Sequence, residues 1–348
     1  MTLLALYISQ FEEGLLNSVI TPVRFLAEIA QYYIKQPSKR LRPSLIFLMA
    51  QATNGLGSEW PSKSDIWQLT LLGRVLPSQV RLAEIIEMIH VASLLHDDVI
   101  DESPVRRGVP SAPVSFGNKR TILSGDFLLG RAMAACAMLG SSDVMDLVSK
   151  VICTLVEGEL LQAQDALSIA STFQSNYSSV ASIPLDDTDD ALKAHWDDYL
   201  QKTYMKTASL FSHTLQCAVI LGGSTTSDPW QNVAAAFGNE LGMAFQLIDD
   251  ALDYEGHSED LGKPSGASDL RLGLITAPIF FAMEEDARML PLFARRFQEL
   301  GDISAALEIV RTCGAISRTR SLACLYAGRD ARPLTRCLQA QRRLPLRR

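Results

Sequence analysis

Leu94-Leu95-His96-Asp97-Asp98-Val99-Ile100-Asp101-Glu102-Ser103-Pro104-Val105-Arg106-Arg107-Gly108 carries an apolar helical run into an acidic cluster and then into paired arginines. On a helix Asp97 and Asp101 stack one turn apart, with Asp98 about 100° round the axis. Hard divalent ions such as Mg²⁺ take oxygen ligands, keep several waters, and are held by one or two carboxylates together with substrate phosphates. The spacing therefore suits a metal bridging to a phosphorylated ligand.

The string alone is weak evidence, because Asp186-Asp187-Thr188-Asp189-Asp190 repeats it after a Ser-rich, aperiodic stretch, where a solvated surface is the expected role. A third copy has better context. Gln246, Asp249, Asp250 and Asp253 follow the spacing of one helix face, while Leu241, Phe245, Ile248 and Leu252 form an apolar stripe on another. Two distant helices thus carry one device, and if they face each other they would clamp several Mg²⁺ ions around one diphosphate.

The segments LLHDDVIDESPVRRG, FQLIDDALDY and LGKPSGASDLRLGLITAP resemble the signatures of the trans-polyprenyl diphosphate synthases, with EMIHVASLLHDDVID and LSGDFLLGRA most like the fungal mitochondrial hexaprenyl type. The resemblance runs from about Phe11 to about residue 326. It implies an all-α fold, the isoprenoid synthase-type helical bundle around a central cavity. It also implies condensation of isopentenyl diphosphate onto an allylic diphosphate, farnesyl or geranylgeranyl, for the ubiquinone side chain. Two or three Mg²⁺ ions would be held by Asp97, Asp98, Asp101, Asp249, Asp250 and Asp253.

The same resemblance assigns Lys39, Arg42, His90 and Arg107 to the isopentenyl diphosphate. Arg106, Lys206, Thr207, Gln246 and Lys263 go to the allylic diphosphate, with Gln162 near it. The Gly that usually precedes the lysine of the basic motif is Ser38 here, and Asp269 receives no role because its spacing from Lys263 is one residue longer than usual. Ala92 and Ser93 lie one turn below Asp97, roughly 6 to 7.5 Å along the helix. Aromatic residues at these positions block elongation in short-chain relatives, so small ones imply a product longer than farnesyl, with Ile89, Met88 and Ile85 as deeper stops.

Helical periodicity runs through nearly the whole chain without alternating strands, from Phe11 to Ile34, near Leu41 to Ala52, and from about Gln79 to Asp101. Residues 53–78 read as a long connection and Lys119 to Leu139 as a helix rich in small residues. Lys202 and Lys206 fall four apart on one face, and Asp228-Pro229 reads as N-cap and first helical residue. The 348 residues, 47% apolar, can bury the core of one large domain. Residues 166–189 read as an exposed insertion and 327–348 as an atypical, Arg-rich end.

A net charge of −7 without a dominant basic face argues against nucleic acid as partner. Six cysteines, Cys136, Cys153, Cys217, Cys313, Cys324 and Cys337, show no zinc spacing, and most read as reduced core thiols. No apolar run approaches the roughly 20 residues of a membrane span. The resemblance places the protein in mitochondria, in the matrix or at the inner-membrane periphery, although Glu12-Glu13 is unlike the acid-poor composition of a transit peptide. It also implies a homodimer or a heteromer. Two rivals are a non-catalytic subunit of a heteromeric synthase and a class I terpene cyclase. The cyclase would need an Asn/Asp-Ser/Thr-Glu second motif and would leave Lys39, Arg42 and His90 without a purpose.

Overall fold

The computed structural model describes residues 3–60, 75–176, 185–255 and 268–329. Lys263, Cys337 and the expected Arg-rich end from 330 onward lie outside the described residues. The elements are α1 (Leu3–Ser18), α2 (Arg24–Ile34), α3 (Leu41–Thr53), α4 (Pro77–Ile100), a hairpin of β1 (Val105–Arg106) and β2 (Val109–Pro110), α5 (Ala112–Phe116), α6 (Asn118–Ala137) and α7 (Ser142–Asn176). They continue with α8 (Leu185–Thr203), a π-helical turn (Tyr204–Ala208), α9 (Ser209–Leu221), α10 (Trp230–Glu255), α11 (Ser268–Arg271), α12 (Ala277–Glu285), α13 (Met289–Ala294), α14 (Asp302–Thr312) and α15 (Ala315–Arg329). The fold is all-α apart from the short hairpin.

The described residues divide into two compact units, one of residues 3–60, 75–152 and 211–239 and the other of 153–176, 185–210, 240–255 and 268–329. In the first, α4 is the central element. Its apolar residues occur on all sides, as in a helix surrounded by others. Leu82, Ile85, Ile86, Met88, Ile89, Ala92 and Leu95 are all buried. It packs most extensively on α6, then on α3 and α1. Ser124, Gly125, Ala132 and Ala135 on α6 are buried and small, which permits the close approach. In the second unit, Tyr199, Leu247, Ala277 and Phe280 form one core with Trp196, whose ring lies 5.2 Å from that of Phe280 and 5.3 Å from that of Tyr199.

Several expectations need adjusting. The apolar pattern from Phe11 to Ile34 is two helices, broken at Thr21-Pro22, because proline lacks the amide that would continue the ladder. Asp228 is not a simple N-cap: its carboxylate turns back to accept from the Thr225 amide at 2.7 Å and the Ser58 amide at 3.1 Å. The Val233 amide bonds instead to the Pro229 carbonyl at 3.1 Å, so the peptide of Pro229 opens α10. Backbone helix extends through residues 166–176 and resumes at 185, within the segment read as an exposed insertion; 177–184 lie outside the described residues. Ala and Leu among the serines supply enough helix propensity to extend a helix already nucleated upstream.

The π turn is the least legible element. A helix with i→i+5 bonds accommodates one surplus residue, and such turns occur often at functional sites. The Ser209 amide bonds to the Tyr204 carbonyl across it. Lys202 lies in the last turn of α8 and Lys206 inside the π turn. The turn also packs backbone against backbone, for a Cβ added at Gly242 on α10 would fall 2.5 Å from Ala208 Cα. Gly242→Ala is expected to cost about 1–3 kcal/mol by overpacking, measured by urea denaturation; an unchanged midpoint would refute the close approach.

Candidate active site

In the first unit, α4 ends at the first aspartate cluster, and the hairpin folds the two arginines back toward it. Val105 pairs with Pro110 and Arg106 with Val109, leaving Arg107 and Gly108 as a two-residue loop. Both have positive φ, 53° and 79°, the requirement of a type I′ hairpin turn. Arginine is uncommon in that region of backbone space, so the sequence carries little hairpin signal there.

The hairpin sets Arg106 on Asp98. Its Nε donates to Asp98 Oδ1 at 2.9 Å and its Nη2 donates to the same oxygen. The hydroxyl of Tyr33, on α2, donates to Asp98 Oδ2 and accepts from the Ala112 amide at 2.9 Å. Asp98 is fully buried, whereas Asp97 and Asp101 are half-buried. Burial works against the charge of Arg106, but the Asp98 carboxylate outweighs it and raises its pKa.

The second unit repeats the device. Asp250 is buried while Asp249 is exposed and Asp253 half-buried. The Tyr199 hydroxyl, from α8, donates to Asp250 Oδ2 at 2.6 Å, and Gln246 Nε2 donates to Oδ1 at 2.8 Å. Gln246 Oε1 accepts from the Thr207 hydroxyl at 2.7 Å, which ties the π turn into the chain. Burial pushes Asp250 up to about 6 against those two hydrogen bonds, and the charges of Asp249 and Asp253 push the same way. Lys206, also in the π turn, bridges Glu159 at 2.6 Å and Gln162 Oε1 at 2.8 Å. Asp253 Oδ2 accepts the amide of Asp269 at 3.1 Å.

A basic cluster faces its own problem of desolvation in the first unit. Arg42 Nε is buried with no hydrogen-bond partner, its ring-stacked guanidinium 5.2 Å from Phe211, and burial pushes its pKa down to about 10. His90 is lowered well below the usual imidazole range by burial and then by Arg42, Arg107, Arg106 and Arg40. The compensating carboxylate is Glu87, buried one turn before His90 and paired with Arg40 at 2.9 Å. Arg40 also donates to Glu12 and to the Ile34 carbonyl, and holds positive φ at the start of α3. Lys39 beside it is exposed. A buried guanidinium nitrogen left without an acceptor among concentrated positive charge is a site suited to an anion.

Among the described residues no three carboxylate, imidazole or thiol side chains cluster closely enough to hold a metal ion on their own. The exposed and half-buried aspartates are hard oxygen donors, and suit an ion whose shell is completed by water and phosphate. Asp98 and Asp250 have both oxygens engaged by protein donors, whereas Asp97, Asp101, Asp249 and Asp253 are less buried. Tyr33, Tyr199, Glu87, Arg40 and Glu159 went unread, since a lone tyrosine or glutamate on an apolar helix carries no spacing signal.

The polyprenyl synthetase family model matches residues 23–310. The chain is 40% identical over 334 residues to the probable mitochondrial hexaprenyl pyrophosphate synthase of Neurospora crassa, covering 87% of this chain and 69% of that one. It is 38% identical over 320 residues to decaprenyl-diphosphate synthase subunit 1 of Schizosaccharomyces pombe, covering 90% and 79%. The crystal structure of a polyprenyl synthase from Caulobacter crescentus complexed with calcium and isoprenyl diphosphate is similar with TM-score 0.74 and 26% identity, over 97% of this chain and 89% of that one.

Breaking the buried ion pair with Asp98→Asn is expected to cost about 3–5 kcal/mol, because Arg106 keeps a desolvated charge; Asp97→Asn should cost less than about 1 kcal/mol, both measured by chemical denaturation. Asp250 has its folded pKa raised from 3.8 to about 6. Its proton therefore favours the folded state, and its contribution is fully present below the unfolded value and lost as pH rises through the folded one. Relative to Asp250→Asn, the native protein should lose stability between pH 4 and about 6, and parallel pH profiles of the two would refute the shift.

Proposed function

We propose that this chain, which belongs to the polyprenyl synthetase family and is a prenyltransferase, condenses isopentenyl diphosphate head to tail onto an allylic diphosphate, farnesyl or geranylgeranyl. The product is a long all-trans polyprenyl diphosphate of about thirty carbons or more, made for the ubiquinone side chain in mitochondria. The single observation that supports this most is the buried, unpartnered Arg42 Nε within the basic cluster that neighbours the first aspartate motif in the same unit. A neutral ligand would leave that charge uncompensated; a diphosphate supplies the missing acceptor.

Asp97, Asp101, Asp249 and Asp253 are assigned as the carboxylates that hold two or three Mg²⁺ ions on the allylic diphosphate. The ions, when bound, neutralise and orient the leaving diphosphate as Lewis acids. Asp98 and Asp250 act from beneath, through their buried hydrogen bonds. Lys206, with Gln162 and Thr207 around it, takes the departing phosphate charge, and Arg106 and Lys263 are assigned the same task. Lys39, Arg42, His90 and Arg107 hold the diphosphate of isopentenyl diphosphate. His90 serves as a neutral hydrogen-bonding group there, given the charges around it. The double bond of isopentenyl diphosphate attacks the allylic carbon as diphosphate leaves, and loss of a proton restores an allylic product.

Chain length is assigned to α4. Ala92 is buried and small, and the Ser93 hydroxyl is turned back to the His90 carbonyl at 2.9 Å. The long products named for the Neurospora and Schizosaccharomyces relatives support this reading. The Schizosaccharomyces relative is named as a subunit, which favours a second reading in which this chain works with a partner. No helix among the described residues is long and apolar enough to cross a membrane.

The purified chain, given labelled isopentenyl diphosphate, farnesyl diphosphate and Mg²⁺, should yield a ladder of products ending near thirty carbons or beyond. A folded protein that elongates nothing alone but does so with a partner would establish the subunit reading. Asp97→Ala should lower turnover by about 10²-fold or more at nearly native stability, and Ala92→Phe should shorten the ladder.

A further inference from the structure

We propose that Tyr33 and Tyr199 are positioning residues for the two aspartate motifs, each fixing the buried second carboxylate of its pair so that the neighbouring aspartates are held ready for a divalent cation. This rests on the assignment of Asp97, Asp101, Asp249 and Asp253 to Mg²⁺.

The two units reach the same arrangement around their two copies of the aspartate motif. In each, a helix carries consecutive aspartates, and a tyrosine from a different helix buries its ring beside them. Tyr33 is 1% exposed and Tyr199 5%. In each, the tyrosine hydroxyl takes Oδ2 of the second aspartate, and a planar nitrogen donor takes Oδ1: the Arg106 guanidinium in one, the Gln246 amide in the other. Both second aspartates are almost wholly removed from water, at 0% and 3% exposure, while none of their proposed metal-binding neighbours is buried.

The consequence is mechanical. Asp98 lies in the last turn of α4, which ends at Asp101, and helix termini fray unless they are tied. Tyr33 is tied in turn to the Ala112 amide at the start of α5. One hydroxyl therefore connects α2, the end of α4 and the chain beyond the hairpin. Tyr199 ties α8 to the C-terminal part of α10, and its ring is clamped by Trp196 and Phe280 at 5.3 and 5.8 Å. Partners that orient metal-binding carboxylates from behind typically govern metal affinity by about 10–100-fold.

Removing only the hydroxyl tests this, with Tyr33→Phe and Tyr199→Phe made separately so that either can decide if the other fails to fold. Tyr7→Phe, at a buried tyrosine of α1, controls for loss of a tyrosine hydroxyl as such. Binding of inorganic pyrophosphate is followed calorimetrically at increasing Mg²⁺, alongside denaturation and steady-state kinetics. The half-saturating Mg²⁺ concentration should rise about tenfold or more in both aspartate-linked variants, with KM for isopentenyl diphosphate unchanged and Tyr7→Phe native. Native half-saturation in a folded Tyr33→Phe or Tyr199→Phe protein would overturn the proposal. Absence of Mg²⁺-dependent pyrophosphate binding in the unaltered protein would instead overturn the metal assignment beneath it.

Discussion

A carboxylate taken out of water loses several kilocalories per mole of hydration unless the protein returns it as hydrogen bonds or opposite charge. Asp98 meets that requirement with a guanidinium and a phenol, and much of the first unit is arranged to deliver them. Arg106 arrives on a two-stranded hairpin whose tight turn demands two residues of positive φ. Tyr33 arrives on α2, and its hydroxyl also takes the first amide of α5. The acidic end of α4 is thereby fixed from two directions, and the aspartates that stay nearer the solvent inherit a defined orientation.

The basic cluster inverts the same physics. Arg40, Arg42 and Arg107 gather like charge around a neutral His90, with Glu87 as the buried carboxylate that offsets it. Burial lowers the pKa of Arg42, and Glu87 raises it, so the cluster remains cationic without being saturated by protein acceptors. Unmet demand for an acceptor is what the site offers a diphosphate. In the second unit, Lys206 is occupied by Glu159 and Gln162, so a phosphate reaching it must exchange for groups already in place.

The long helices were legible because apolar periodicity is a collective signal, and α3, α4 and α6 emerge within one or two residues of the expected bounds. The aspartate motifs were legible because helical spacing alone puts their members on common faces. What escaped is what depends on contacts between distant segments. Tyr33 and Tyr199 look like ordinary core aromatics until Asp98 and Asp250 are seen against them. The different surroundings of the two aspartates of a pair were hidden for the same reason, since periodicity says which face a residue is on, not which neighbour fills it. The Arg107-Gly108 turn carried too faint a signature, because arginine seldom takes positive φ.

The π turn at Tyr204–Ala208 bears on how this chain should be read against others. A surplus residue inside a continuous run of helix shifts the angular reading frame, so a wheel drawn from Leu185 through Leu221 misplaces every side chain on one side of the turn. Residue-by-residue transfer of roles by even spacing therefore holds within α8 or within α9 but not across them. Length differences of a single residue in this segment would convert one helical phase into the other, turning Lys206 and Thr207 away together while leaving the helix itself intact.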